Sequence, residues 1–351
     1  MSSCCETLML GHRLQGTRLT GAHLRGLMII DDYRHVQREN GDDNMTDATA
    51  KAAPKAERRR RVLRSGARSS IVVGGAIVLF FVLLAPLAGP LSAITGNDPY
   101  AEHPEALGAG SVPAGFGGGI SARHWFGVTP LRGVDLFSIV AYGSRISLGI
   151  GVVSSVISLV IGVALGLLAG YFPGLVDALI SRTMDVFFGF PFLIFAIALS
   201  AVVPQSFPRP VLLTLVLGFF GWPGIARLVR GQTLTLSKRN FAVASKVMGA
   251  SPAHVLWHQI LPNLMPLLIV NITLSIPGRI GAEAGLSFLG VGMNPPTPSW
   301  GRSISDAVQW ALVDPMYLIF PGAALFLLTF GFNLLGDGLS DAIDPRKGVR
   351  A

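Results

Sequence analysis

Cysteine and charge are both scarce in this chain. Of its 351 residues only two are cysteines and 14% are charged, whereas 50% are hydrophobic. Cys4 and Cys5 are adjacent in a polar N-terminal stretch, which predicts neither a structural disulfide nor a metal site. The balance of apolar over charged residues indicates a membrane protein.

Catalytic motifs are missing as well. No G-x-x-x-x-G-K-[ST] phosphate-binding loop occurs, so the chain is not predicted to hydrolyse ATP, and energy must come from another chain. His254 and His258 are four residues apart, as metal ligands on one helix face can be, but no Glu follows the first and no third ligand is evident. No nucleophile and base lie together within the apolar runs. The sequence therefore predicts neither an enzyme nor a metal site.

Several apolar runs reach the roughly 20 residues that a helix needs to cross a bilayer. Backbone polar groups must be satisfied internally in lipid, so helices are the expected elements. The predicted fold class is an all-α polytopic membrane protein with six transmembrane helices. The predicted spans are 70–88, 144–169, 184–203, 211–228, 265–289 and 317–336.

Basic residues exceed acidic ones by eight, and they cluster at alternating ends of the spans. They are concentrated in 58–68, 227–246 and 346–350. The positive-inside rule then places both termini and the loop 229–261 in the cytoplasm and leaves 89–143 outside. Membrane topology explains the basic charge without nucleic acid.

The chain divides by composition into tails, an external segment and a helical core. Met45 opens a stretch resembling an ordinary cytoplasmic start, so residues 1–44 are interpreted as an upstream extension of the reading frame, a hypothesis that peptide mapping of the native protein would test. The predicted parts are a polar, disordered tail at 1–68, a first helix at 69–90, an external segment at 91–143, a core at 144–337 that contains the loop 229–261, and a C-terminal tail at 338–351.

The loop between the fourth and fifth spans has a distinct local pattern. Residues 236–248 are mostly helix formers, and Gly249 can take the left-handed conformation that ends a helix. Ser251 and Pro252 then form an N-cap and first-turn pair. Two short helices should therefore meet at a fixed elbow. By itself, such a loop could also be a plain amphipathic connector between membrane helices.

This pattern resembles the EAA loop of ABC importer permeases. Val243, Ala244 and Ser245 occupy the triplet, without its Glu, and are followed by Gly249. In that family the loop is cytoplasmic and inserts into a groove on the ATP-hydrolysing subunit, as a helix in a groove. The implied docking residues are Val243, Ala244, Ser245, Gly249, Ala250, Ser251, Leu261 and Pro262.

Two further stretches resemble the same family. HWFGVTPLRGVDLFSIVAYGSRISLG, at 124–149, is similar to the entry to the permease core, although Thr129 stands where Asp is usual and Val134 where Arg is usual. EAGLSFLGVGMNPPTPSWG, at 283–301, matches a signature of the family. The three stretches occur in order, and the chain is identified as resembling the C-type permease subunit of the dipeptide/oligopeptide (peptide/nickel) ABC importers, with a type I importer permease fold.

The resemblance implies an assembly in the cytoplasmic membrane that imports di- or oligopeptides. Its other members would be a homologous B-type permease, two ABC ATPase subunits that bind ATP and magnesium, and an external substrate-binding protein. No cofactor is expected in this chain. Importers of nickel, glutathione or haem share the architecture and remain alternatives. A secondary transporter is less favoured, because no internal repeat with a coupling-ion site is found.

Polar and small residues inside the spans are further candidates. Gly221 and Pro223 predict a break in the fourth span, either a packing kink or part of a gate. Arg279 and Glu283 are four apart and are expected to pair on one helix face, as a structural pair or as pathway residues.

Two other patterns concern packing and charge. Glycines at four-residue spacing in the second span, at 162, 166 and 170, predict a close helix contact. Asp177, Arg182 and Asp185 are expected to form ion pairs at the cytoplasmic boundary.

Overall fold

The structure, a computed structural model, describes residues 69–94 and 96–343. The predicted disordered tail, the hypothesis about Met45, the cysteine pair and the basic clusters at 58–68 and 346–350 lie outside the described residues.

The described residues are helical or irregular, with two isolated β-bridges in the external segment. This confirms the expected all-α polytopic fold. Two short 3₁₀ turns, Pro104–Ala106 and Ala109–Ser111, lie in the external segment. The helices are α1 (Ser69–Ile94), α2 (Leu136–Tyr171), α3 (Leu175–Gly189), α4 (Phe192–Val202), α5 (Arg209–Leu236), α6 (Asn240–Val247), α7 (Pro252–Phe288), α8 (Trp300–Val308) and α9 (Pro315–Ile343).

Five of these helices, α1, α2, α5, α7 and α9, are long and apolar enough to cross a membrane. The remaining predicted span, 184–203, is not one straight helix, because it falls on α3 and α4, which meet at a bend of 80°. Phe190 and Pro191 between them have extended backbones. A residue before proline is sterically pushed out of the helical region, which explains why the apolar run bends here.

The glycine stripe of α2 makes the predicted close helix contact, and its partner is α5. A β-carbon added at Gly162 would lie 2.7 Å from Ile225, and one at Gly166 would lie 2.7 Å from the carbonyl oxygen of Ala226. A β-carbon added at Gly170 would lie 2.6 Å from Thr233. These separations are shorter than real carbon contacts, so only glycine allows the two helices to approach this closely.

The predicted break at Pro223 is wrong. Helix α5 continues from Arg209 to Leu236, and Pro223 is buried within it. Side chains from neighbouring helices bond to carbonyl groups in the turn before the proline; the Ser158 hydroxyl donates to the Gly218 carbonyl at 2.6 Å. Tertiary packing and these bonds hold a helix that proline alone would interrupt.

The acidic residues of α3 are paired, but with a different helix from the one expected. Arg230 of α5 donates to Asp177 at 2.8 Å, and Arg227 of α5 donates to Asp185 at 2.8 Å. The predicted pairing with Arg182 is wrong, because the partners come from more than 40 residues along the chain. The two pairs join the outer surfaces of α3 and α5.

The external segment is ordered around the start of α2. Asp135 caps α2 by accepting a hydrogen bond from the Ser138 amide at 2.9 Å, and its other carboxylate oxygen lies 2.9 Å from His124 Nδ1. The Asn97 side chain and Ser138 hydroxyl add further bonds to this buried cluster. The cluster fixes the chain where it enters the membrane core.

Candidate functional site

The loop between α5 and α7 contains the predicted elbow. Helix α6 ends at Val247, and Gly249 follows with a φ of +85°, in the left-handed region that favours glycine. The Ala250 amide donates to the Ser245 carbonyl at 3.1 Å, which closes the turn. No atom lies within 4 Å of a β-carbon placed at Gly249, so its backbone conformation alone constrains this position.

Ser251 begins the next helix as predicted. Its hydroxyl accepts a hydrogen bond from the His254 amide at 3.3 Å, and Pro252 occupies the first turn. The helix then passes through a π-type turn, Val255–Ile260, and continues into the fifth span. Leu261 and Pro262 therefore lie inside one long helix, α7, and the missing amide of Pro262 follows directly after the widened turn.

The elbow is anchored on one side and open on the other. Ala242, Val255 and Ile260 are buried in a cluster with residues of α2 and α5. Ser245 of the triplet is also buried, whereas Val243 is 45% exposed. The other predicted docking residues are partly or fully exposed: Ala244, Gly249, Ala250, Ser251, Leu261 and Pro262.

Sequence reasoning missed the most exposed apolar residues of the loop. Val247 and Met248 are 82% and 80% exposed, and Trp257 is 65% exposed. They face outward because Ala242 and Val255 face the core, a division that the helical period of α6 could have indicated. The histidines of the loop, His254 and His258, stack with ring centroids 4.5 Å apart. Among the described residues, no group of three His, Cys, Asp or Glu side chains could hold a metal ion.

Glu283 is fully buried in α7 and accepts hydrogen bonds from three hydroxyl groups. Ser147 of α2 donates at 3.0 Å, and Ser287 and Ser299 each donate at 2.9 Å. The predicted pair with Arg279 is wrong, because Glu283 points towards α2 and the segment before α8. Its partners join three parts of the chain at one buried carboxyl group.

Arg279 points towards α5 instead. Its guanidinium donates to the Leu217 carbonyl and, at 3.0 Å, to the Ser158 hydroxyl. It lies directly over Gly221, where any β-carbon would collide with it. The structure thus brings Arg279 and Gly221 together, with buried Pro223 two residues further along α5, and leaves Glu283 in a separate cluster.

Comparison with known proteins identifies a family. Residues 162–349 match the family described as "Binding-protein-dependent transport system inner membrane component". The chain is 36% identical over 275 residues to the dipeptide transport system permease protein DppC of Alkalihalophilus pseudofirmus, covering 78% of this chain and 85% of that protein.

Two other similarities involve different transport systems. The chain is 44% identical over 228 residues to the glutathione transport system permease protein GsiD of Shigella flexneri serotype 5b, covering 65% of this chain and 74% of that protein. A solved chain of the inward-facing MetNI methionine ABC transporter shares 22% identity with a TM-score of 0.47, covering 59% of this chain and 96% of that one. From the family match and the extent of its similarity to DppC, the chain belongs to the inner membrane permeases of binding-protein-dependent ABC transport systems.

Proposed function

We propose that this chain is the C-type permease subunit of an ATP-driven importer of di- or oligopeptides. The observation that carries the proposal is the ordered elbow at Gly249, which presents Val247 and Met248 at the surface of a family member similar to DppC. An exposed apolar helix end of this kind fits a groove on a partner protein.

The proposed assembly contains a homologous B-type permease, two ABC ATPase subunits and an external substrate-binding protein. ATP and magnesium bind to the ATPase subunits, and this chain neither hydrolyses ATP nor holds a cofactor. The loop 229–261 and both termini face the cytoplasm, in agreement with the basic residues Arg227, Arg230, Lys238 and Arg239 near the loop.

Closure of the ATPase dimer would move the two docking loops together and shift the permeases from inward-open to outward-open. This is a two-state change biased by nucleotide. Gly221, Pro223 and Arg279 are proposed to line or gate the pathway at the interface of the two permeases. Glu283 is proposed to hold the segment before α8 to α2 and α7 through its three serine partners.

Glutathione is a second candidate substrate, favoured by the 44% identity to GsiD. Glutathione is itself a small peptide with free carboxylates, so one site could accept both classes. Competition between a dipeptide and glutathione for uptake by the same assembly would separate the two.

The test is to express the tagged chain with its neighbouring genes, purify the complex and measure ATPase activity with and without peptide-loaded binding protein. Recovery of a second permease and two ATPases, with turnover stimulated by the loaded binding protein, is expected. A chain that purifies without any ATPase partner, or ATPase activity indifferent to the binding protein, would contradict the proposal.

A further inference from the structure

The guanidinium of Arg279 lies deep within a membrane-spanning helix. Arg279 is nine residues before the end of α7 at Phe288. At about 1.5 Å per residue this is roughly 14 Å, close to half of the ~30 Å hydrocarbon layer. A charged group at this depth is rare and is a mark of substrate or ion pathways.

Arg279 has no acidic partner within 4 Å among the described residues. The nearest acidic residue on its own helix, Glu283, is held by three serine hydroxyls. The neutral acceptors of Arg279, the Leu217 carbonyl and the Ser158 hydroxyl, use two of the five N–H donors of a guanidinium. The positive charge and the remaining donors are therefore free for an anion.

The surroundings of Arg279 leave room for a ligand. Arg279 itself is only half-buried. Gly278, next to it in the chain, is exposed, and a β-carbon there would meet no atom within 4 Å. Gly221 beneath the guanidinium has no side chain to cover it. Arg279 therefore keeps some exposed surface, while its guanidinium lies against α5.

We propose that Arg279 binds the C-terminal carboxylate of the transported peptide. A planar guanidinium pairs with a carboxylate through two parallel hydrogen bonds, a geometry that lysine cannot reproduce. Every linear peptide with a free C-terminus carries this group, whatever its side chains, so one arginine can serve many sequences. The inference rests on the proposed function, since it assigns the part of the peptide that this subunit recognises.

The test compares one labelled tripeptide with its C-terminal amide in proteoliposomes that contain the full importer and saturating binding protein. The measured quantity is the preference, the ratio of kcat/KM for the free acid to kcat/KM for the amide. Arg279→Gln should lower this preference by about tenfold or more, because a charge-assisted bidentate bond is lost. Uptake of the amide should change little. Arg279→Lys should keep part of the preference.

Glycine variants provide a matched pair that leaves the charge in place. Gly221→Ala puts a methyl group where the guanidinium lies, so it should displace Arg279 and lower the preference. Gly224→Ala, three residues further along α5, adds a methyl with no atom within 4 Å and should keep the wild-type preference. If Arg279→Gln does not assemble, the Gly221 and Gly224 variants decide the question.

An unchanged preference in Arg279→Gln or in Gly221→Ala, even with slower uptake of both peptides, would overturn the assignment and leave Arg279 as a structural bond to α5. If the wild-type importer takes up neither peptide in the presence of ATP, the proposed function itself fails and this inference fails with it. The two failures differ in whether the wild-type assembly transports peptide.

Discussion

Replacing Gly249 with valine isolates the contribution of the elbow to coupling. The φ of +85° at this position costs an L-residue about 1–2 kcal/mol. No steric term adds to this cost, because a β-carbon there would meet no atom within 4 Å. At RT of about 0.59 kcal/mol, the equilibrium constant for forming the elbow should fall roughly 5- to 30-fold. Membrane insertion should be unaffected, since the apolar spans are unchanged.

The assay is ATP-driven uptake in proteoliposomes together with recovery of the ATPase subunits on the tagged chain. Gly249→Val should reduce both, by at most the calculated factor. Gly249→Asn is the matched control, because asparagine adds a side chain but tolerates the left-handed region. It should behave nearly as wild type. Equal activity of the valine and asparagine variants, whether both low or both normal, would refute the role assigned to the backbone conformation.

Three further comparisons test packing, the buried carboxylate and pH. Gly166→Ala should destabilise the chain by about 1–3 kcal/mol, because its methyl group would clash with Ala226. Its control, Gly149→Ala, lies on an open side of the same helix and should be neutral or stabilise the chain by up to about 1 kcal/mol. Thermal unfolding of both variants in detergent measures the difference. Glu283→Ala leaves three buried hydroxyls without an acceptor and should lower the unfolding midpoint more than Glu283→Gln does; equal midpoints would contradict this. Burial raises the pKa of the Asp314 carboxyl, so the wild type should lose stability as pH rises through that pKa while Asp314→Asn does not. The Tm advantage of Asp314→Asn should therefore grow as the pH rises above about 4, the ordinary pKa of aspartate, and a pH-independent difference would be evidence against it.

The long elements and the local motifs were predictable from sequence, because their causes are local. Five of the six apolar runs of membrane length form single long helices, as expected of backbone that must satisfy its own hydrogen bonds in lipid. The left-handed conformation of Gly249 and the cap at Ser251 depend on the residues themselves and their immediate neighbours. The spacing of three glycines on α2 likewise predicted a close contact, although not that α5 would be the partner.

The incorrect predictions concern partners that are distant in sequence. Arg279 and Glu283 are adjacent on the helix surface, but Ser147, 136 residues away, competes for the carboxylate, and Ser158 and Leu217 hold the guanidinium. Pro223 was expected to break α5 because propensity favours a break, yet packing overrode that tendency. Pro191 was overlooked within an apolar run, and it bends the span instead.

The uninterrupted course of α7 has a mechanical consequence. No loop separates Ser251, at the elbow, from Glu283, in the serine cluster, and the 32 residues between them correspond to about 48 Å of helix. A helix resists compression along its axis. A displacement applied at the elbow is therefore transmitted along α7 towards the far side of the bilayer. The positions at which α7 can bend most easily are its widened turn at Val255–Ile260 and its internal prolines, Pro266 and Pro277. The stiffness of these few positions determines what fraction of a displacement at the elbow reaches the serine cluster around Glu283.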